Sequence, residues 1–239
     1  MSYLGVFLEL LKDRQTFLTE IHERVQLKTK ISALLLCSFC CFAVYGAIIG
    51  SFHSFNQAIA SSIKLPALYL LTLIVCLPAL YIFNVLFGSR KTIAQHFTYI
   101  LSAAAVISLL LCGFAPVILF FLITISPKED YSFFLLLNVA VFSLTGVFGV
   151  SFLYQAMRPT ALLAKGDNQD LPEDLNVQLR SNILRLWLIL YGFVGSQLGW
   201  TLRPFFGTPT DQFQWFRPRE GNFVSGVWNA LMNILTGGS

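Results

Sequence analysis

The sequence predicts an all-α membrane protein: a five-helix transmembrane bundle with interfacial amphipathic helices at its two ends. Three observations carry this. Of 239 residues, 56% are hydrophobic and 12% charged, about half the charged share of an ordinary water-soluble domain. Apolar runs recur five times, the first four of them uncharged, each long enough to cross a hydrocarbon core of about 30 Å. Backbone amides in lipid must be paired within the chain, so runs of this length are read as helices. The net charge of +4 comes mostly from residues flanking the runs. That suits a membrane surface, and no basic stripe points to nucleic acid.

Residues 1–30 read as a cytoplasmic-side amphipathic helix. Leu4, Phe7, Leu8, Leu11, Leu18, Ile21 and Val25 recur at helical spacing, with Glu9, Lys12, Asp13, Glu20, Glu23 and Arg24 largely off that face. Such a helix either lies in the headgroup layer, or docks a partner there, or folds back on its own bundle. Residues 31–202 are the transmembrane domain. Its spans run from about Ile31 to Ile49, Pro66 to Phe87, Tyr99 to Ile125, Tyr131 to Tyr154 and Ile183 to Leu202. At about 1.5 Å per residue they are roughly 28 to 40 Å long. Pro66 is placed at a helix start, where its missing N–H costs nothing. Ser126–Asp130 is a tight hairpin, and the long polar segment 158–182 contains Pro172, Glu173 and Asp174 at a helix start.

Residues 203–239 are an outer-side aromatic tail ending in a short interfacial helix over Val224–Leu235. Trp200, Arg203, Trp215, Arg217 and Trp228 are its predicted anchors at headgroup level. With the amino terminus inside, the inner segments hold eleven Lys and Arg and the outer ones five, which predicts a cytoplasmic amino terminus and an outer carboxyl terminus. The predicted setting is a bacterial inner membrane, or an internal one.

Small residues offer close approach between helices: Gly46 and Gly50 in the first span, Gly192, Gly195, Ser196 and Gly199 in the fifth. They serve packing within one bundle or a face for a second subunit, so homo- or hetero-oligomers join the lipid bilayer as expected partners. Cys37, Cys40 and Cys41 resemble a metal motif on paper, yet no histidine or carboxylate stands near enough to complete it. Cysteine also fills small apolar spaces well. His22, His53 and His96 are scattered, and no phosphate loop, nucleophile elbow or zinc motif occurs. The expectation is therefore no catalytic, cofactor or metal residues. Buried polarity is limited to residues such as Asn84, Asn138, Thr145 and Gln197, with no ionisable residue inside the first four spans; this argues against a proton- or sodium-coupled carrier.

The five-span plan, and the second span Lys64-Leu-Pro-Ala-Leu-Tyr-Leu-Leu-Thr-Leu-Ile-Val-Cys-Leu-Pro-Ala-Leu-Tyr81, resemble Yip1-like proteins and small uncharacterised bacterial polytopic proteins. The acidic Asp-Leu-x-Gly-Pro type of motif of eukaryotic members does not precede the first span, so the resemblance implies no site residue. The expected function is that of a non-enzymatic subunit or scaffold of a membrane assembly. The alternative is a small channel or permease component with a site at the spans interrupted by Pro78 and Pro116.

Overall fold

A computed structural model describes residues 3–86, 91–124, 131–157, 173–205, 215–216 and 223–235. The Ser126–Asp130 hairpin, the loop preceding Glu173 and Arg217 lie outside the described residues. Eight helices are found among those described: α1 (Tyr3–Lys12), α2 (Arg14–His22), α3 (Leu27–Gly50), α4 (Phe55–Leu86), α5 (Ile93–Thr124), α6 (Tyr131–Met157), α7 (Glu173–Thr201) and α8 (Phe223–Leu235). The all-α, multi-span membrane character holds.

The number of spans does not. Among the described residues four helices, α3 to α6, are long and apolar enough to cross a membrane, where five were predicted. The fifth candidate, α7, has the length, at 29 residues, but over its described residues it is not apolar enough to join them. From Leu184 onward Arg185, Ser196, Gln197 and Thr201, with Gly192, Gly195 and Gly199, dilute its apolar content. It runs antiparallel to α4: Trp187 Nε1 donates to Cys76 O at 3.3 Å, and further on Pro204 O accepts from Lys64 at the start of the apolar stretch of α4.

The helices also begin earlier than the apolar runs, because polar capping residues start them. Ser54 Oγ accepts from Gln57 N at 3.2 Å and opens α4 eleven residues ahead of Pro66. Pro66 therefore sits inside the helix, not at its first turn. Thr92 and Gln95 form a reciprocal capping box on α5, Thr92 N donating to Gln95 Oε1 at 2.8 Å and Gln95 N to Thr92 Oγ1 at 3.4 Å.

Helix α3 is the hub, packed extensively on both α4 and α5; α6 leans on α5, α7 on α4, α1 on α3, and α8 on α6 and α7. Gly46 and Gly50 set the closest approach. A Cβ on Gly46 would stand 2.9 Å from the Ser61 carbonyl carbon, and one on Gly50 2.7 Å from Ala58 Cα. The core divides by depth into two clusters. One, around Phe42, Tyr45, Ile49, Leu111 and Phe134, fills the half nearest the α3–α4 turn. The other, around Leu34, Leu80, Leu101, Leu153 and Trp187, fills the opposite half and includes Val6, Phe7, Leu10, Phe17 and Ile21 of the first two helices.

The amino-terminal segment is two helices, broken at Asp13, folded back onto the bundle. Asp13 caps α2, its carboxylate accepting from Thr16 N at 3.1 Å and from the Thr16 hydroxyl at 2.7 Å. The predicted face is rotated: Val6 and Leu10 are buried, while Leu8, Leu11 and Val25 are exposed.

Candidate functional site

Both ends of the bundle are closed by a lysine that the sequence placed in a polar flank and the fold buries. At the amino-terminal end Lys30 is 2% exposed, ion-paired with Glu20, with its ammonium 4.1 Å from the centre of the Phe17 ring. Gln95 Nε2 donates to Ile21 O at 3.1 Å and His22 O at 2.8 Å, satisfying carbonyls at the end of α2. Arg14 reaches Phe152 O at 3.4 Å and stacks over the Phe152 ring.

At the opposite end three donors on one face of α4 hold the chain that follows α7. The spacing of Gln57, Ser61 and Lys64 aligns them along the helix. Gln57 Nε2 donates to Pro204 O at 2.7 Å and Phe205 O at 3.2 Å, and Ser61 Oγ to Phe205 O. Lys64 is 4% exposed; its ammonium donates to Pro204 O at 3.2 Å and to Trp215 O, with the Phe216 ring 4.8 Å away. A buried ammonium needs partners for its three donors; here backbone dipoles and an aromatic face supply them.

The predicted contact residues separate. Gly46 and Gly50 are spent on the α3–α4 approach, and Gly195 and Gly199 face Thr72 and Leu68 of α4 at ordinary contact distances. Ser196 turns back to Phe193 O at 2.8 Å. Gly192 faces open space, beside exposed Leu186, Ile189 and Phe193. Of the anchors, Arg203 stacks on Trp200 with Cζ 3.8 Å from the ring centre, and Trp200 packs against Gly226 of α8, whose Cβ position lies 2.6 Å from Trp200 Cζ3. Trp215 and Trp228 are exposed.

Pro78 and Pro116 do not converge. Both are exposed, and with about 1.5 Å per residue along antiparallel helices they differ in depth by roughly 20 Å. All five cysteines are free thiols. Cys37 Sγ lies 3.9 Å from Tyr3 O and Cys40 is exposed. Among the described residues no group of three or more His, Cys, Asp or Glu could hold a metal ion.

One cavity lies inside the α3–α4–α5 junction, of about 20 Å³, bordered by Ser38, Phe39, Phe42, Pro66, Tyr69 and Ala104 among others. Sequence reasoning missed it, as it missed the two lysines. For Lys64 a signal existed: the Ser54-x-x-Gln57 pattern marks a helix start and would have carried Lys64 onto a helix, as Thr92-x-x-Gln95 would have carried Gln95; no such pattern precedes Lys30. No local pattern marks the cavity.

The chain matches no protein-family profile, no curated protein and no solved structure.

Proposed function

We propose that this chain is a non-enzymatic integral membrane protein serving as a subunit or scaffold of a membrane assembly. The observation that supports it best is the outward side of α7. This helix is less apolar than α3 to α6, leans on the bundle through α4, and presents Leu186, Ile189 and Phe193 at 60 to 70% exposure, with open space above Gly192. A glycine beside large apolar side chains permits close helix–helix approach, which lipid cannot exploit as another helix can. A partner helix on that face would also shelter the polar residues that set α7 apart from the four apolar helices.

The cytoplasmic placement of the amino-terminal helices belongs to the same proposal. It draws on the Lys and Arg that flank α3 to α6, of which Lys12, Arg14, Arg24, Lys28, Lys30, Arg90, Lys91, Arg158 and Lys165 fall on the inner side and Lys64 and Lys128 on the outer one, and it puts the Lys64 clamp at the outer end of a bacterial inner, or internal, membrane. The likeness to Yip1-like proteins contributes no residue to this reading.

A photo-crosslinking amino acid at Ile189 or Phe193, activated in native membranes, should give an adduct of defined mass with a second protein or a second copy. The same group at Ile74 or Ile123, exposed on α4 and α5, should yield lipid adducts alone. If all four positions yield lipid only, α7 is not an assembly face and the scaffold reading fails.

A further inference from the structure

Ser38, near the middle of α3, has a hydroxyl with nowhere to go. The residue is 4% exposed and its Oγ has no hydrogen-bond partner. Every other buried serine or threonine hydroxyl among the described residues finds one. Thr72, Thr98, Ser102, Ser108 and Thr145 turn back to carbonyls of their own helices at 2.7 to 2.9 Å. Ser61 reaches Phe205 O. Ser38 does neither, and it borders the cavity between α3, α4 and α5. The cavity has a structural origin. Gly46 and Gly50 draw α3 and α4 together at one end. Below that contact α4 carries Pro66, whose ring interrupts the helical ladder and lines the space.

We propose that this crevice binds the carbonyl end of a slender, uncharged lipid, such as a long-chain ketone or aldehyde, with Ser38 Oγ donating to its oxygen. The chemistry follows from the wall. Its other lining residues bring no charge: Leu35, Phe39, Leu70, Leu73, Leu101 and Ala104 are apolar, and Tyr69 is the one other hydroxyl-bearing residue of the wall. A carbonyl oxygen only accepts, so one bond from Ser38 satisfies both partners. A water would occupy the volume but needs two to four polar partners, and the side chains of the wall offer few. About 20 Å³ admits a group of carbonyl size. The chain behind it would leave past Phe39, which is 44% exposed and open to lipid.

The test uses the full chain in lipid nanodiscs with two probes, a diazirine-bearing long-chain methyl ketone and the matching hydrocarbon. In the wild type the ketone should label the peptides around residues 35–42 or 66–73 roughly tenfold more than the hydrocarbon, as one buried hydrogen bond predicts. Ser38→Ala should reduce ketone labelling to the hydrocarbon level, and unlabelled ketone should compete in the wild type. With a carbonyl-¹³C ketone, infrared spectra should show a red-shifted carbonyl band in the wild type that Ser38→Ala lacks. Equal labelling by the two probes in the wild type overturns the proposal, whatever the variant does. So does a ketone preference, or a red-shifted band, that survives in a folded Ser38→Ala protein.

Discussion

Each end of the bundle buries one lysine over one aromatic ring, and the two lysines are satisfied by different means. Lys30 meets a carboxylate, Glu20, and sits beneath two helices that bring Val6, Phe7, Leu10, Phe17 and Ile21 into the core. Lys64, among the described residues, meets backbone carbonyls of Pro204 and Trp215, with exposed Trp215 and Phe216 beside it. The first closure is a charge-neutral pair under an apolar cover. The second, among the described residues, is a cation holding main chain through carbonyl dipoles. The contrast teaches that the amino-terminal helices bring side chains into the packed core, whereas Pro204, Phe205 and Trp215 are held through their carbonyls by polar side chains of α4.

The strongest way to break this picture is to separate the helices that carry the second closure. Gly46→Leu would force a side chain into the Ser61 backbone and move Gln57, Ser61 and Lys64 together. Overpacking of this kind costs about 3 kcal/mol at the upper end of its usual range, so thermal unfolding in detergent should shift sharply downward. A change within experimental scatter would mean that α3 and α4 can slide apart freely.

Next in size is the ion pair. Glu20→Gln leaves the Lys30 ammonium buried without its counter-charge. Glu20 is 26% exposed, so the loss should fall below that of a fully buried pair, at roughly 2–3 kcal/mol. Adding Lys30→Met should restore most of it, and a double-mutant cycle reads the coupling. Additive effects would show that the pair is incidental to the docking of α1 and α2.

Lys64→Met should do something different. Its bonds to carbonyls are worth roughly 1–2 kcal/mol, and their loss should fall on the tail. Hydrogen exchange should lose protection over residues 204–216 while α3 and α5 keep theirs. Loss of protection throughout the bundle would erase the distinction between core closure and tether.

The smallest expected effect is pH-dependent and confined to the first closure. Hydrogen bonds from the Thr16 hydroxyl and then the Thr16 amide hold the Asp13 carboxyl below its ordinary value. Because the folded value lies below the unfolded one, the cap is fully effective above the unfolded pKa of about 3.9 and is lost as pH falls through the lower folded value. The protection factor of the Thr16 amide, its rate corrected for intrinsic exchange at each pH, should therefore fall in acid, and Asp13→Asn should remove that fall. A protection factor indifferent to pH in the wild type would show that the cap does not hold α2.

What could be read without the structure was whatever depends on runs and on local chemistry. The apolar stretches within α3 to α6, their approximate centres, the short helix from Phe223 to Leu235 and the stop at Arg203-Pro204 were all legible, because hydropathy and capping act over a few neighbours. The glycines at 46 and 50 were legible as small, but not as facing α4. What needed the tertiary structure was every decision between distant partners. The apolar run from about Ile183 to Leu202 gave α7 the look of a fifth span, and the polar residues and glycines within its described part removed it from that class. Lys30 and Lys64 read as solvated flanks because their partners, Glu20 and the carbonyls of residues 204 and 215, become neighbours only when the chain folds back. The orphaned hydroxyl of Ser38 is likewise invisible in one dimension: a serine's rotamer and the space beside it are set by how three helices diverge.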